Sequence, residues 1–223
     1  MGLFCFHAII SAFLCRWFVS MLDPLLISLD IMGTVVFAIT GLLAASRHHL
    51  DLFGAVVLAM VTAIGGGTLR DLILNVPVFW LTQTEYIYIT VVTTLLVAVY
   101  RRTHVIPVQV LLLLDALGLA VFTIIGAQKA LSLGYSDVIA IMMGIMTGVV
   151  GGMIRDILVG EVPLILRKEI YATASFLGAS VYVLAIAWLD SAWLVIVLSM
   201  GATLSARLGG VFLGWRLPKF ITT

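Results

Sequence analysis

Apolar positions run along this chain in long stretches broken only by short polar connections. Seven such stretches stand out, at about 25–45, 51–74, 84–100, 108–130, 138–159, 169–189 and 191–212. Their lengths match the roughly 20 residues that a helix needs to cross a hydrocarbon core of about 30 Å. Strands of a membrane barrel would alternate polar and apolar residues, and these stretches do not. The connections are short and polar: Ser46-Arg47-His48-His49, Arg101-Arg102-Thr103-His104, Leu131-Ser132-Leu133-Gly134-Tyr135-Ser136 and Asp190-Ser191. The pattern predicts an all-α integral membrane protein with seven transmembrane helices.

The same pattern is written twice. Asp30, Gly33, Phe37 and Gly41 return as Asp115, Gly118, Phe122 and Gly126. Gly66-Gly67-Thr68-Leu69-Arg70-Asp71 returns as Gly151-Gly152-Met153-Ile154-Arg155-Asp156, Val76-Pro77 as Val162-Pro163, and Glu85-Tyr86 is echoed by Glu169-Ile170-Tyr171. Each copy holds three stretches. Three is odd, so the second copy enters the membrane from the opposite side, and the repeats are expected to be inverted about an axis in the membrane plane. The expected organisation is an apolar extension over 1–22, interfacial or disordered, then a first three-helix repeat over 23–104. A second, inverted repeat follows over 105–189, and a seventh helix with a cytoplasmic tail fills 190–223.

Composition agrees: 63% of residues are hydrophobic, 10% are charged, and mean hydropathy is +1.24. A soluble domain carries roughly 25% charged residues. Net charge +1 argues neither for nor against nucleic acid, which is not expected as a partner, and Cys5 and Cys15 match no metal spacing. Lys and Arg set the orientation. With the first span running inward, Arg47, Arg101, Arg102, Arg167, Lys168, Arg207, Arg216 and Lys219 collect on the inner side, and Asp23, Glu85, Asp137 and Asp190 on the outer. The N-terminus is expected outside and the C-terminus in the cytoplasm, in the cell inner (plasma) membrane.

Candidate chemistry lies within the spans. Gly65-Gly66-Gly67 interrupts the second and Gly151-Gly152 the fifth. Glycine loosens a helix, and backbone freed at membrane depth lines protein or water. This predicts kinks whose carbonyls face an aqueous path. Close packing is the competing reading, since Ala59-x3-Ala63-x3-Gly67 and Gly144-x3-Gly148-x3-Gly152 are small-residue stripes. Ionisable residues inside spans point to function: Asp30, Arg70, Asp71, Asp115, Lys129, Arg155 and Asp156. Depth along the helices, at about 1.5 Å per residue, couples Asp30 with Arg70 near the outer end and Asp115 with Arg155 near the inner. Neighbours in a helix point about 100° apart, so Asp71 and Asp156 are expected to stay free for water or ions. Lys129 has no repeat counterpart. It either snorkels to the interface or enters the path as a voltage-sensitive charge.

The two three-helix repeats, the seventh span, the duplicated Gly-Gly-x-x-Arg-Asp and the opening Asp30-x-x-Gly33-x-x-x-Phe37-Ala38-x-x-Gly41 resemble the prokaryotic trimeric intracellular cation (TRIC) channels. The resemblance covers about residues 25–215. It implies a homotrimer, embedded in membrane lipids, in which each protomer has its own pore for monovalent cations, chiefly potassium. It implies that the kinked second and fifth helices line that pore, with Gly65, Gly66, Gly67 and Arg70 on one and Gly151, Gly152 and Arg155 on the other. Animal members carry a basic lipid-binding motif where this chain has Gly151-Gly152-Met153-Ile154-Arg155, so phosphoinositide binding does not carry over. The same prokaryotic domain has been labelled a glycine transporter. Three readings therefore stand: a potassium-permeable channel, a secondary transporter of a small amino acid such as glycine, and a non-transporting scaffold. No nucleotide loop, Ser/His/Asp set or zinc motif points to an enzyme, and the only small partner expected is the permeant potassium ion.

Overall fold

The computed structural model describes residues 2–101, 103–104, 106–166 and 170–215, with side chains from Pro24 onward. The side chains of the expected extension, including Cys5, Cys15 and Arg16, lie outside that description, as do Arg102, Arg167, Lys168, Glu169, Arg216 and Lys219.

The described residues are helical, without a strand. In order they form α1 (Gly2–Arg47), α2 (Leu52–Ile73), the short α3 (Phe79–Thr82), α4 (Glu85–Arg101), α5 (Val108–Ser132), α6 (Asp137–Leu158), a 3-10 turn (Leu164–Leu166), α7 (Ala172–Trp188) and α8 (Ala192–Phe212). Five segments are long and apolar enough to cross a membrane: Pro24–Arg47, Leu52–Ile73, Val108–Ser132, Asp137–Leu158 and Ala192–Phe212. α4 and α7 have 17 residues each, the lower end of the crossing range. The outward surface is apolar: Trp188 is 85% exposed, Phe53 77% and Leu96 66%. That surface suits lipid rather than water.

The apolar clusters show how the helices run. One gathers Leu42, Leu43 and Ala45 at the end of α1 with Ala55 at the start of α2, Leu111 at the start of α5 and Val159 just after α6. Another, at the opposite end, gathers Leu25 and Leu26 of α1 with Ala127 and Leu131 of α5, Leu189 and Val195. α1 and its counterpart α5 are therefore antiparallel, as an inverted repeat requires.

Contacts at the centre are reciprocal. The Phe37 ring lies over Gly118, and the Phe122 ring lies over Gly33, at an offset of 85 residues in both partners. A side chain at Gly66 would strike the Thr147 carbonyl, and one at Gly151 would strike that of Thr62. Contacts that exchange partners in this way are the mark of a twofold axis. It passes between Phe37 and Phe122, whose ring centroids are 5.1 Å apart.

Two expectations change. α2 and α6 run unbroken through their glycines, so no run of carbonyls is released there. Gly66 and Gly151 instead let the two backbones touch, as the packing reading expects. The sequence pattern also missed α3 and the 3-10 turn, which follow α2 and α6 at equivalent places.

Candidate functional site

Each repeat ends its second long helix in an Arg-Asp pair, and both pairs are built alike. Arg70 and Arg155 sit in the last turn of α2 and α6, where a cation also meets the negative end of the helix dipole. Arg70 donates from Nε to Asp71 Oδ1 at 2.7 Å, and its Nη2 stands 2.7 Å from the same oxygen. Arg155 repeats this on Asp156 Oδ1, at 2.9 Å from both Nε and Nη2. The second carboxylate oxygen turns to the chain eight residues on. Asp71 Oδ2 accepts from the Phe79 N–H at 3.0 Å, and Asp156 Oδ2 from the Leu164 N–H at 3.0 Å. Each Asp thus anchors its arginine and the helical turn that follows.

This corrects the expectation that Asp71 and Asp156 stand free. Adjacent helix positions do diverge, but an arginine side chain is long enough to swing its guanidinium back over the neighbouring carboxylate. All four groups are buried, with Arg155 1% and Arg70 5% exposed. Buried charges need such partners, because an isolated one costs several kcal/mol.

The acids on α1 and α5 divide the symmetry. Asp115 is fully buried and accepts from Arg155 Nη1 at 2.8 Å, so Arg155 bridges two carboxylates. Asp30 makes no ion pair with Arg70. Its Oδ2 accepts instead from the Tyr86 hydroxyl at 2.7 Å. Phe79 packs edge-on to Tyr86 at 4.8 Å and lies 5.9 Å from the Arg70 guanidinium. Arg70, Asp71 and Lys129 remain within electrostatic reach of Asp30. Lys129 is half-buried near the end of α5 and forms no ion pair among the described residues.

Three further groups belong to the site. Tyr171, the counterpart of Tyr86, is buried beside Gly152 and Asp115. Arg207 of α8 is also fully buried, with its guanidinium 4.8 Å from the Tyr171 ring centre and Nη1 donating to the Ile170 carbonyl at 3.3 Å. The charge pattern places Arg207 among the basic residues of the inner surface; its burial inside the bundle takes it out of that set. Phe79 is the third. The echo of Tyr86 in Tyr171 signals the tyrosines, and the place of Arg207 inside the seventh apolar stretch, 191–212, is the signal for that residue.

Beyond Arg155 and Asp156 a cavity of about 270 Å³ opens, bounded by Arg47, His48, Leu111 and Glu161. His48 Nε2 and Glu161 Oε1 meet across it at 3.0 Å. A methyl group added at Gly65 would meet only Ile154 and Val61, at 3.5 and 3.8 Å. One added at Gly67 would come within 2.7 Å of the Phe79 ring, and one at Gly152 within 2.9 Å of the Tyr171 hydroxyl.

A helical bundle of inverted repeats, with a buried charge cluster near each end, has the build of a membrane transport protein. Known proteins place it further. A family model described as Glycine transporter matches residues 27–102 and again 112–188. A UPF0126 membrane protein of Vibrio cholerae is 44% identical over 201 residues, 89% of this chain and 84% of that one. The UPF0126 inner membrane protein YadS of Escherichia coli K12 is 44% identical over 196 residues, 86% of this chain and 94% of that one. Among solved structures, a TRIC trimeric intracellular cation channel orthologue from Rhodobacter sphaeroides is 40% identical with TM-score 0.82, covering 86% of this chain and 99% of that one. A prokaryotic TRIC channel solved in 0.5 M KCl is 30% identical with TM-score 0.80, covering 87% and 100%. The chain belongs to the family that the matching model describes, and its fold is that of the prokaryotic TRIC channels.

Proposed function

We propose that this protein is a passive channel for monovalent cations, permeable to potassium, working as a homotrimer with a path in each protomer. It sits in the cell inner membrane with its N-terminus outside and its C-terminus in the cytoplasm. The likeness to TRIC cation channels at 30–40% identity supports the cation reading and the trimer.

The observation that carries a channel is the placing of polar and apolar groups along the bundle, to either side of the twofold axis. Asp30, Arg70 and Asp71 lie toward one end of the bundle, and Asp115, Arg155 and Asp156 toward the other. Each triad has one carboxylate more than it has arginine, which favours a cation over an anion. Arg207 stands behind the Tyr171 ring, and Lys129 forms no ion pair among the described residues. Between the triads Phe37 and Phe122 close the centre. An apolar constriction between two hydrated acidic ends is a gate that opens by wetting. α2 and α6 border the path through Arg70 and Arg155, and their glycines hold the helices together at its waist.

Recording purified protein in a planar bilayer under a potassium chloride gradient tests this. The expected result is discrete single-channel currents that reverse near the potassium equilibrium potential. Reversal near the chloride potential would sink the cation reading. Saturable, gradient-coupled glycine uptake without current would make the protein a carrier.

A further inference from the structure

The turn between α1 and α2 is one place where the two repeats differ. At the equivalent turn of the second repeat Gly134 takes a φ of +80°, whereas here His49 takes 55°. Left-handed backbone is free for glycine and costs a residue with a side chain on the order of 1 kcal/mol or more. His49 thus sets an imidazole where the second repeat has no side chain.

Its surroundings differ from the second repeat in the same sense. Asp51 stands where that repeat has Ser136, and Arg101 where it has Ile186. Ser46, His49, Asp51 and Arg101 line one pocket of about 450 Å³. Arg101 Nη1 is buried without a hydrogen-bond partner among the described residues. Asp51 uses Oδ1 to cap α2 through the Gly54 N–H at 2.7 Å, while its Oδ2 takes no hydrogen bond among the described residues. The pocket thus offers one cationic donor, one carboxylate and one imidazole. That set fits a zwitterion carrying a phosphate and an ammonium. The pocket lies at helix ends, the level of lipid headgroups, and Leu52, Phe53, Leu96 and Val99 beside it are 55–77% exposed, a surface for acyl chains.

We propose that this pocket holds the headgroup of an aminophospholipid of the phosphatidylethanolamine class, with its phosphate on Arg101 and His49 and its ammonium on Asp51. Arginine recognises phosphate oxygens by paired hydrogen bonds, and the carboxylate sets the preference for an amine-bearing headgroup. The site is separate from the proposed ion path, so its occupancy is read without any current.

The test is titration of the purified full chain in detergent with dioctanoyl phosphatidylethanolamine, followed by native mass spectrometry. Arg101→Gln should weaken binding about tenfold, the loss of one charge-assisted contact. Asp51→Asn, whose amide oxygen still caps α2, should weaken phosphatidylethanolamine about tenfold and leave dioctanoyl phosphatidylglycerol unchanged. His49→Gly should bind more weakly while its Tm stays equal or rises, because glycine suits the turn; this variant keeps the test open if the others fold poorly. Unchanged lipid binding in both Arg101→Gln and His49→Gly overturns the proposal. Equal binding of phosphoethanolamine or inorganic phosphate without acyl chains makes the site one for a soluble anion and overturns it. Displacement of the lipid by glycine does so in favour of an amino-acid site.

Discussion

At the scale of single residues, partner choice separates two arginines that look identical in sequence. Arg155 holds Asp115 and Asp156 together, whereas Arg70 holds Asp71 alone. Removing one partner of a buried pair costs about 3–5 kcal/mol, because the charge left behind is neither solvated nor matched. Arg155→Gln strands two carboxylates and Arg70→Gln one, so the first should lower the Tm in detergent more than the second. The opposite order would show that the doubled contact is not what stabilises the second cluster. A double-mutant cycle on Asp115 and Arg155 should give a coupling well above the ~0.6 kcal/mol average for membrane hydrogen bonds. The same cycle on Asp30 and Arg70 should come out close to additive. Asp30→Asn belongs at this scale too. Its amide oxygen can still accept from Tyr86, so the fold should survive while potassium current falls; an unchanged current would remove Asp30 from the path. The acids and arginines are plain in the sequence. Their partners are only half so: depth along the helices gives Asp115 with Arg155, but depth cannot see that Asp30 takes the Tyr86 hydroxyl in place of Arg70. Nor does helix geometry alone foresee an arginine folding back on its neighbour.

At the scale of elements, the glycines that read as breaks in the sequence are places of contact, and the structure ranks them. A methyl group at Gly66 would meet the Thr147 carbonyl, and one at Gly151 that of Thr62. Backbone cannot yield as a side-chain tip can, and overpacking costs about 1–3 kcal/mol. At Gly65 the nearest atom is Ile154 Cδ1, at 3.5 Å. Alanine there meets ordinary contact and gains about 1 kcal/mol of helix propensity. Gly66→Ala and Gly151→Ala should therefore lower the Tm, and Gly65→Ala should leave it unchanged or raise it. Equal losses at all three would return the glycines to a role in backbone flexibility. Helix positions are legible because membrane spans are long and apolar. α3 and the 3-10 turn are not, because four residues or fewer carry no period. What fixes them is a carboxylate eight residues upstream, a contact that only the folded chain displays.

At the scale of the whole molecule, the duplication foretells an inverted pair of repeats, and the reciprocal contacts of α1 with α5 and of α2 with α6 realise it. A twofold axis makes the two ends equivalent in design, and the chain then departs from it: a tyrosine partners Asp30 where an arginine partners Asp115, and α8 adds Arg207 to the second cluster alone. What remains symmetrical is the centre. Phe37 and Phe122 fill each other's glycine gaps on the axis, 1% and 5% exposed. On the proposed path these two rings are the barrier that water from either acidic end would meet. Shortening one ring leaves the other to hold the axis, which argues for testing both together. Phe37→Ala with Phe122→Ala should raise open probability in planar bilayers several-fold, because a wider and still apolar waist wets more readily. The reversal potential should stay near that of potassium, since the carboxylates that favour cations are untouched. Loss of the two rings also removes about 3–5 kcal/mol apiece of core packing, so a matching leucine pair, which keeps more of the volume, separates gating from unfolding. The double substitution Phe37→Leu with Phe122→Leu should fold with near-native Tm and conduct at an intermediate level. A folded alanine pair with unaltered open probability would place the constriction elsewhere on the path.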